Sequence, residues 1–198
     1  MKRAKIGVLG YGPGETSIYE GLSDLGFDAF QVNLRELLGM KGEFDLVVSY
    51  GLKELIPSRI IEVFSPINLH ISFLPYNRGY YPNFWSFAEN SPTGISIHLV
   101  DSGIDTGNIL FQEAVDLDPR THTFVESYLI LRKRIEILFV QNIASLVFEN
   151  LDGQPQRGQG SFHKRSELPK EFLGWHRNVR EEIERLRELY DFQDFGFR

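Results

Sequence analysis

The sequence predicts an α/β protein built on a doubly wound, mostly parallel sheet, and three observations carry that expectation. Short β-type runs alternate with segments of helical spacing through the first half of the chain. The run FDLVVSY at residues 44–50 is apolar nearly throughout, as a strand covered on both faces must be. The first β-type run, AKIGVL at residues 4–9, ends in a glycine loop, GYGPG, that leads directly into helical spacing.

Beyond that loop, Ile18, Leu22 and Leu25 share one face of a helix over residues 15–25. Residues 27–32, 44–50 and 67–71 read as the second, third and fourth strands, and Ser58–Phe64 as a short helix with Pro57 near its start. Pro82 precedes a helix over residues 83–89, whose Phe84, Trp85 and Phe87 read as core, and NSPTG at 90–94 is turn chemistry. Residues 95–100 and 108–115 read as two further strands. Residues 121–150 read as one long amphipathic helix that Thr121 can cap. Its buried stripe is Phe124, Tyr128, Leu131, Ile135, Leu138, Ile143 and Leu146, with Arg132, Lys133 and Glu136 facing out. A polar, extended segment at 152–160 leads to a last helix over 175–190 with Val179, Ile183, Leu186 and Tyr190 on one face. The charges between Arg177 and Glu188 read as its solvated side. Sheets of this kind bind ligands at the carboxyl ends of their strands. The glycine loop is GxGxG, not GxGxxG, and Val32-Asn33 stands where an acidic residue would close the second strand, which argues against a dinucleotide site. A phosphate-proximal loop centred on Gly12 and a plain tight turn both fit it.

The chain has 198 residues, 42% hydrophobic and 24% charged, in the range of a globular domain. With no cysteine it has neither disulfides nor a thiolate nucleophile or ligand. Its five histidines form no HExxH, so no metal is expected. A net charge of −6 argues against a general nucleic-acid surface, while an anionic small molecule needs only a local basic pocket. No apolar run approaches the ~20 residues that span a bilayer, and the N-terminus is too short in apolar residues for a signal peptide. The expectation is a cytoplasmic protein with no membrane partner. The apolar helix stripes leave room for a homodimer.

Reactive polar groups concentrate between Pro66 and Gly107. In residues 67–74 apolar and polar side chains alternate, so Asn68 and His70 share a strand face. A second alternation puts Ser96 and His98 on one face and runs into Asp101, Asp105 and two glycines. An amide, an imidazole and a carboxylate that converge suit acyl or proton transfer. His98 reads as a support to the loop, and Asp101 either as a turn carboxylate or as an organiser of that loop. Between the two strands, Tyr76, Asn77, Arg78, Gly79, Tyr80 and Tyr81 offer donors, a cation and stacking faces for a substrate, or form a hydrophilic surface loop.

The motif NxHxSxLPxxxG, here from Asn68 to Gly79, followed by HxxDxGIDTGxIL from His98, resembles the 10-formyltetrahydrofolate-dependent formyltransferases. The likeness is strong from Phe44 to Leu117 and, in the LPYNRG segment with Pro82 and Trp85, is most similar to the sugar N-formyltransferases. The resemblance implies a Rossmann-like fold with a C-terminal helical tail. It implies a single catalytic domain, with a core over 1–150 and an extension over 151–198. It implies N10-formyltetrahydrofolate as co-substrate and a small-molecule acceptor, a nucleotide-linked amino sugar. Asn68 would stabilise the oxyanion, His70 move the proton, and Asp105 orient His70, raise its pKa or accept a proton through water. Tyr50, Gly51, Leu52, Ile56, Asp101 and Ile104 would hold the pterin, largely through backbone. Gly12 and residues 76–80 would meet the acceptor. Two alternatives stand beside this reading. One is a glycinamide ribonucleotide formyltransferase, although GYGPGE lacks the serine and asparagine groups expected at that phosphate. The other is a non-catalytic folate- or nucleotide-binding module. Sugar and methionyl-tRNA formyltransferases carry more C-terminal structure, so a minimal form or a different acceptor is expected.

Overall fold

In a computed structural model, residues 3–190 are described. Six strands form one sheet: β1 (Lys5–Gly10), β2 (Asp28–Val32), β3 (Leu46–Tyr50), β4 (Ile67–His70), and then β6 (Gly94–Leu99) and β7 (Ile109–Ala114). Their order is β2-β1-β3-β4-β6-β7. A two-residue β5 (Arg78–Gly79) pairs in parallel with β8 (Phe162–His163) in a separate ribbon. The helices are α1 (Ile18–Asp24), α2 (Leu34–Leu37), α3 (Ser58–Phe64), α4 (Pro82–Ala88), α5 (Phe124–Gln141), α6 (Ile143–Phe148) and α7 (Val179–Arg187). None is long and apolar enough to cross a membrane among the described residues.

β1 pairs in parallel with β2 on one side and β3 on the other, and β3 with β4. The chain therefore reverses its direction of winding between β1 and β3, the switch point at which α/β sheets open a crevice at their carboxyl ends. Gly10 and Tyr50 are register partners there. The expected parallel sheet is thus present over four strands, and the last two turn it into a mixed one. Val100 N–H donates to the Pro66 carbonyl at 2.8 Å and the Ser96 hydroxyl to the Ser72 carbonyl at 2.7 Å, so β6 runs opposite to β4. β7 returns against it, with Leu99 N–H on the Asn108 carbonyl at 2.9 Å and Val115 N–H on the Thr93 carbonyl at 3.0 Å.

The chain divides into two compact units: Met1–His70 with Ile97–Phe111 and Ile135–Pro155, and Ile71–Ser96 with Gln112–Arg134 and Gln156–Arg198. The first has a core cluster of Leu9, Val32, Leu37, Val47 and Ile60. The second is built on aromatics: Phe84, Trp85, Phe124, Val179, Ile183 and Leu186 pack together, with Phe172 and Trp175 against them. There His163 stacks on Trp85 at 4.0 Å between ring centres. Its Nε2 lies 2.7 Å from a Glu89 carboxylate that is equally enclosed.

Three expectations change for the long helix. The long helix starts at Phe124, because Thr123 and not Thr121 closes a capping box: Thr123 Oγ1 accepts from Glu126 N–H at 3.2 Å and Glu126 Oε2 accepts from Thr123 N–H at 2.8 Å. The helix also breaks at Asn142, whose Nδ2 donates back to the Leu138 carbonyl at 2.8 Å and competes with the backbone for it. Glu136, expected on the solvent side, is 8% exposed.

The last helix is shorter than the pattern of apolar residues suggested, and one of its charges is also interior. Glu182 is fully buried. It accepts from Leu173 N–H at 2.8 Å and from Arg185 Nη2 at 2.7 Å. Burial alone would raise its pKa, but the Arg185 guanidinium and the Leu173 amide hold it below the ordinary value of 4.5. A carboxylate depressed in the folded state stabilises the fold above its unfolded pKa and loses that contribution as pH falls through its folded one. The wild type is therefore expected to lose melting temperature below about pH 4.5. Glu182→Gln is expected to melt lower at neutral pH and to show a shallower acid slope, read by calorimetry across pH 3 to 7.

Candidate active site

Asn68, His70, His98 and Asp105 come together in the first unit. β4 presents Asn68 and His70 on one face, two residues apart. The pairing of Pro66 with Val100 continues antiparallel along β6 and sets His98 across from Asn68. Asn68 Nδ2 lies 3.2 Å from His98 Nε2 and 3.1 Å from Asp105 Oδ1. His70 Nδ1 is 3.6 Å from Asp105 Oδ2, and His98 Nε2 is 3.4 Å from Asp105 Oδ1. Both imidazoles are buried, and Asp105 is nearly so, at 13% side-chain exposure.

One tautomer satisfies the network. His98 Nδ1 lies 2.8 Å from the Leu99 carbonyl, which only accepts, so Nδ1 carries a proton. His98 Nε2 can then accept from Asn68, whose two amide protons go to His98 and Asp105. His98 thus fixes the Asn68 amide on the neighbouring strand, where a support to the loop was the expectation.

Asp105 arrives on a shaped loop. Its φ is +53°, a left-handed conformation that aspartate tolerates better than most residues. Asp101 organises the turn: its Oδ1 accepts from Gly103 N–H at 3.0 Å and from the Thr106 hydroxyl at 2.6 Å. Gly107 lets the loop close onto β6, since a Cβ there would stand 1.8 Å from the Leu99 carbonyl oxygen. That oxygen is the one His98 uses. Gly107→Ala is therefore expected to lower the melting temperature by at least ~3 °C and to disturb the cluster, checked by differential scanning fluorimetry.

The remaining expected contacts fall in different settings. Gly51, Leu52 and Ile56 lie in a segment outside helices and strands, exposed at 51 and 53–55, and Ile104 is also exposed. Such open backbone suits an amide-edged heterocycle. Tyr50 is 2% exposed. Its phenol donates to Glu136 Oε1 at 2.9 Å and its carbonyl accepts from Tyr11 N–H at 2.9 Å, so its side chain faces the protein interior. Gly12 N–H donates to Glu15 Oε2 at 2.8 Å. The glycine loop thus already cradles a carboxylate of its own where a phosphate was one expectation. Burial and then the Glu15 charge push the nearby Tyr19 phenol up to about 12.

In the second unit, Asn77 is fully buried. Its N–H donates to Ser161 Oγ at 2.9 Å and its Nδ2 to Ser91 Oγ at 2.8 Å. That makes it a brace for the loop and not a surface contact. Arg78 donates through Nε and Nη2 to Gln156 Oε1 at 3.0 and 2.6 Å. Gly79 sits in β5, Tyr76 is half-buried, and Tyr80 is 40% exposed. Among the described residues no group of His, Asp and Glu is arranged to hold a metal ion.

Comparison with known proteins points in one direction. The family profile described as Formyl transferase matches residues 29–143. The formyltransferase PseJ from Anoxybacillus kamchatkensis, solved in complex with UDP-4,6-dideoxy-4-formamido-L-AltNAc and tetrahydrofolate, shares 34% identity. The match covers 91% of this chain and 98% of that one, with a TM-score of 0.82. A methionyl-tRNA formyltransferase of Thermodesulfovibrio yellowstonii is 26% identical over 79% of this chain and 51% of its own length. A dTDP-4-amino-4,6-dideoxyglucose formyltransferase of Mycobacterium bovis is 36% identical over 35% of this chain and 30% of its own. The chain thus spans about half or less of the curated relatives it matches.

Proposed function

This chain belongs to the formyl transferase family, and we propose that it moves the formyl group of N10-formyltetrahydrofolate onto the amino group of a nucleotide-linked amino sugar. The observation that supports this most is the buried convergence of Asn68, His70, His98 and Asp105. In the reaction the amine nitrogen attacks the formyl carbon and the formyl oxygen becomes an oxyanion. The bond from carbon to N10 then breaks, the amine gives up one proton and N10 leaves with one. Amine and formylfolate become formamide and tetrahydrofolate.

Asn68 donates to the oxyanion, exchanging one of its two internal hydrogen bonds for the new one. Such a donor is worth about 3–4 kcal/mol in the transition state. Asp105, within ion-pair reach of His70 Nδ1, keeps the ring proton on Nδ1 and so orients Nε2 to take up the amine's proton. The open backbone of residues 51–56 and the loop organised by Asp101 hold the pterin. In the second unit, Tyr80 and Arg78, the latter steadied by Gln156, are assigned to the acceptor's nucleotide.

The sugar-linked acceptor rests on the likeness to PseJ over nearly its whole length. The test is a formylation assay with N10-formyltetrahydrofolate against UDP-, dTDP- and GDP-linked amino sugars, glycinamide ribonucleotide and charged initiator tRNA, read by mass spectrometry. The expected product is a single formyl gain on an amino sugar. Formylation of the ribonucleotide or the tRNA alone overturns the acceptor assignment.

A further inference from the structure

At the switch point of the sheet, a buried carboxylate ties two loops together. Glu136, on α5, is 8% exposed and meets donors from two directions. Its Oε2 accepts from the Ser17 hydroxyl at 2.6 Å and the Ser17 N–H at 3.1 Å, at the entry to α1. Its Oε1 accepts from the Tyr50 phenol at 2.9 Å, at the carboxyl end of β3. A buried carboxylate with donors on both oxygens holds its partners far more tightly than an exposed one.

The two loops are also in direct contact. Tyr11 N–H donates to the Tyr50 carbonyl at 2.9 Å, and the two rings meet edge to face at 4.9 Å between centres. Gly51, at φ +71°, lies under the Tyr11 ring, where a Cβ would come within 2.3 Å of it. Tyr11 is held in turn by the Tyr19 hydroxyl on its carbonyl at 2.9 Å. The turn that begins the 51–56 segment is therefore set by the glycine loop, and the Glu136 carboxylate adds a second, buried link between them.

We infer that Glu136 is a positioning residue for the folate-binding loop: by pinning Ser17 and Tyr50 to one carboxylate it holds the turn at Gly51 in its ligand-ready shape. This rests on the assignment of residues 51–56 to the pterin. The donors that Glu136 meets, Ser17 and Tyr50, are not among Asn68, His70, His98 and Asp105, so its removal weakens binding of the folate and leaves the chemical step to the same groups. Burial alone would raise its pKa. Hydrogen bonds from Ser17, Tyr50 and Thr16 instead hold it below the ordinary glutamate value, so it stays charged through neutral pH.

The test measures tetrahydrofolate affinity by titration calorimetry, and KM for N10-formyltetrahydrofolate against kcat, in the wild type, Glu136→Gln, Ser17→Ala, Tyr50→Phe and the Ser17/Tyr50 double variant. Glu136→Gln is expected to weaken tetrahydrofolate binding and raise KM by about tenfold, with kcat at saturation within about twofold of wild type. Ser17→Ala, on the loop remote from the pterin, is expected to weaken the folate by about threefold. The double variant should fall short of the product of its singles, because both act through one carboxylate. Tyr50→Phe loses a single hydroxyl and keeps the test open if Glu136→Gln does not fold. Unchanged affinity in Glu136→Gln, or in Ser17→Ala and Tyr50→Phe together, overturns the inference, as does a fall in kcat at constant KM. A wild type that does not bind tetrahydrofolate overturns the pterin assignment itself, and this inference with it.

Discussion

Replacing His70 with alanine is expected to lower the formylation rate by at least ~100-fold while tetrahydrofolate affinity stays within a few fold of wild type. The imidazole sits at the end of β4 beside Asn68 and within ion-pair reach of Asp105. In that cluster it is the group able both to accept the amine's proton and to return one toward the leaving nitrogen. His98 is held differently, with Nδ1 on the Leu99 carbonyl and Nε2 facing the Asn68 amide. The split between rate and affinity is what identifies a group that acts on the reacting atoms. Single-turnover kinetics together with a folate titration measure the two quantities. A variant that turns over at the wild-type rate would remove His70 from the chemistry.

Asp105→Asn is expected to cost about 10²- to 10⁴-fold in kcat, the range that a correctly positioned proton-transfer group contributes. The substitution keeps the side-chain volume but loses the charge that faces both imidazoles. It can also turn an amide N–H toward the Asn68 Nδ2 donor, which now has a carboxylate oxygen at 3.1 Å. The same change therefore loosens His70 and unseats Asn68, and the two losses are not additive. Because Asp105 takes its left-handed conformation on a loop already ordered by Asp101 and Thr106, the melting temperature is expected to change by less than about 3 °C. A large fall in stability with little fall in rate would make Asp105 a structural residue.

The parts of the molecule that follow a short-range rule were legible in the sequence. Alternation put Asn68 and His70 on one strand face, and the apolar run at 44–50 gave a central strand, β3, that is buried throughout. The two glycines beside Asp105 marked a loop, while the close approach of Gly107 to the Leu99 carbonyl emerges only in the structure. What periodicity could not reach were polar groups whose partners lie far along the chain. Glu136 falls on the solvent side by its spacing, yet its donors stand 119 and 86 residues away, at Ser17 and Tyr50. Asn77 reads as a surface contact, but Ser161, 84 residues on, draws it inside. A helical wheel assigns a polar side chain outward whenever no donor is visible nearby, and here the donors arrive through tertiary structure. Glu15 differs: it lies three residues from the Gly12 N–H that it caps. An acidic residue immediately after a glycine loop is a local sign that the loop supplies its own anion.

The most direct measurement supplies N10-formyltetrahydrofolate carrying ¹³C in the formyl group, together with a UDP-linked amino sugar, and follows the label by mass spectrometry alongside tetrahydrofolate release. Transfer through the Asn68, His70 and Asp105 cluster predicts one labelled formamide for each tetrahydrofolate formed, and loss of both in His70→Ala. Release of tetrahydrofolate with labelled free formate would show hydrolysis in place of transfer. Labelled formamide formed at an undiminished rate by His70→Ala would place the chemistry elsewhere in the chain.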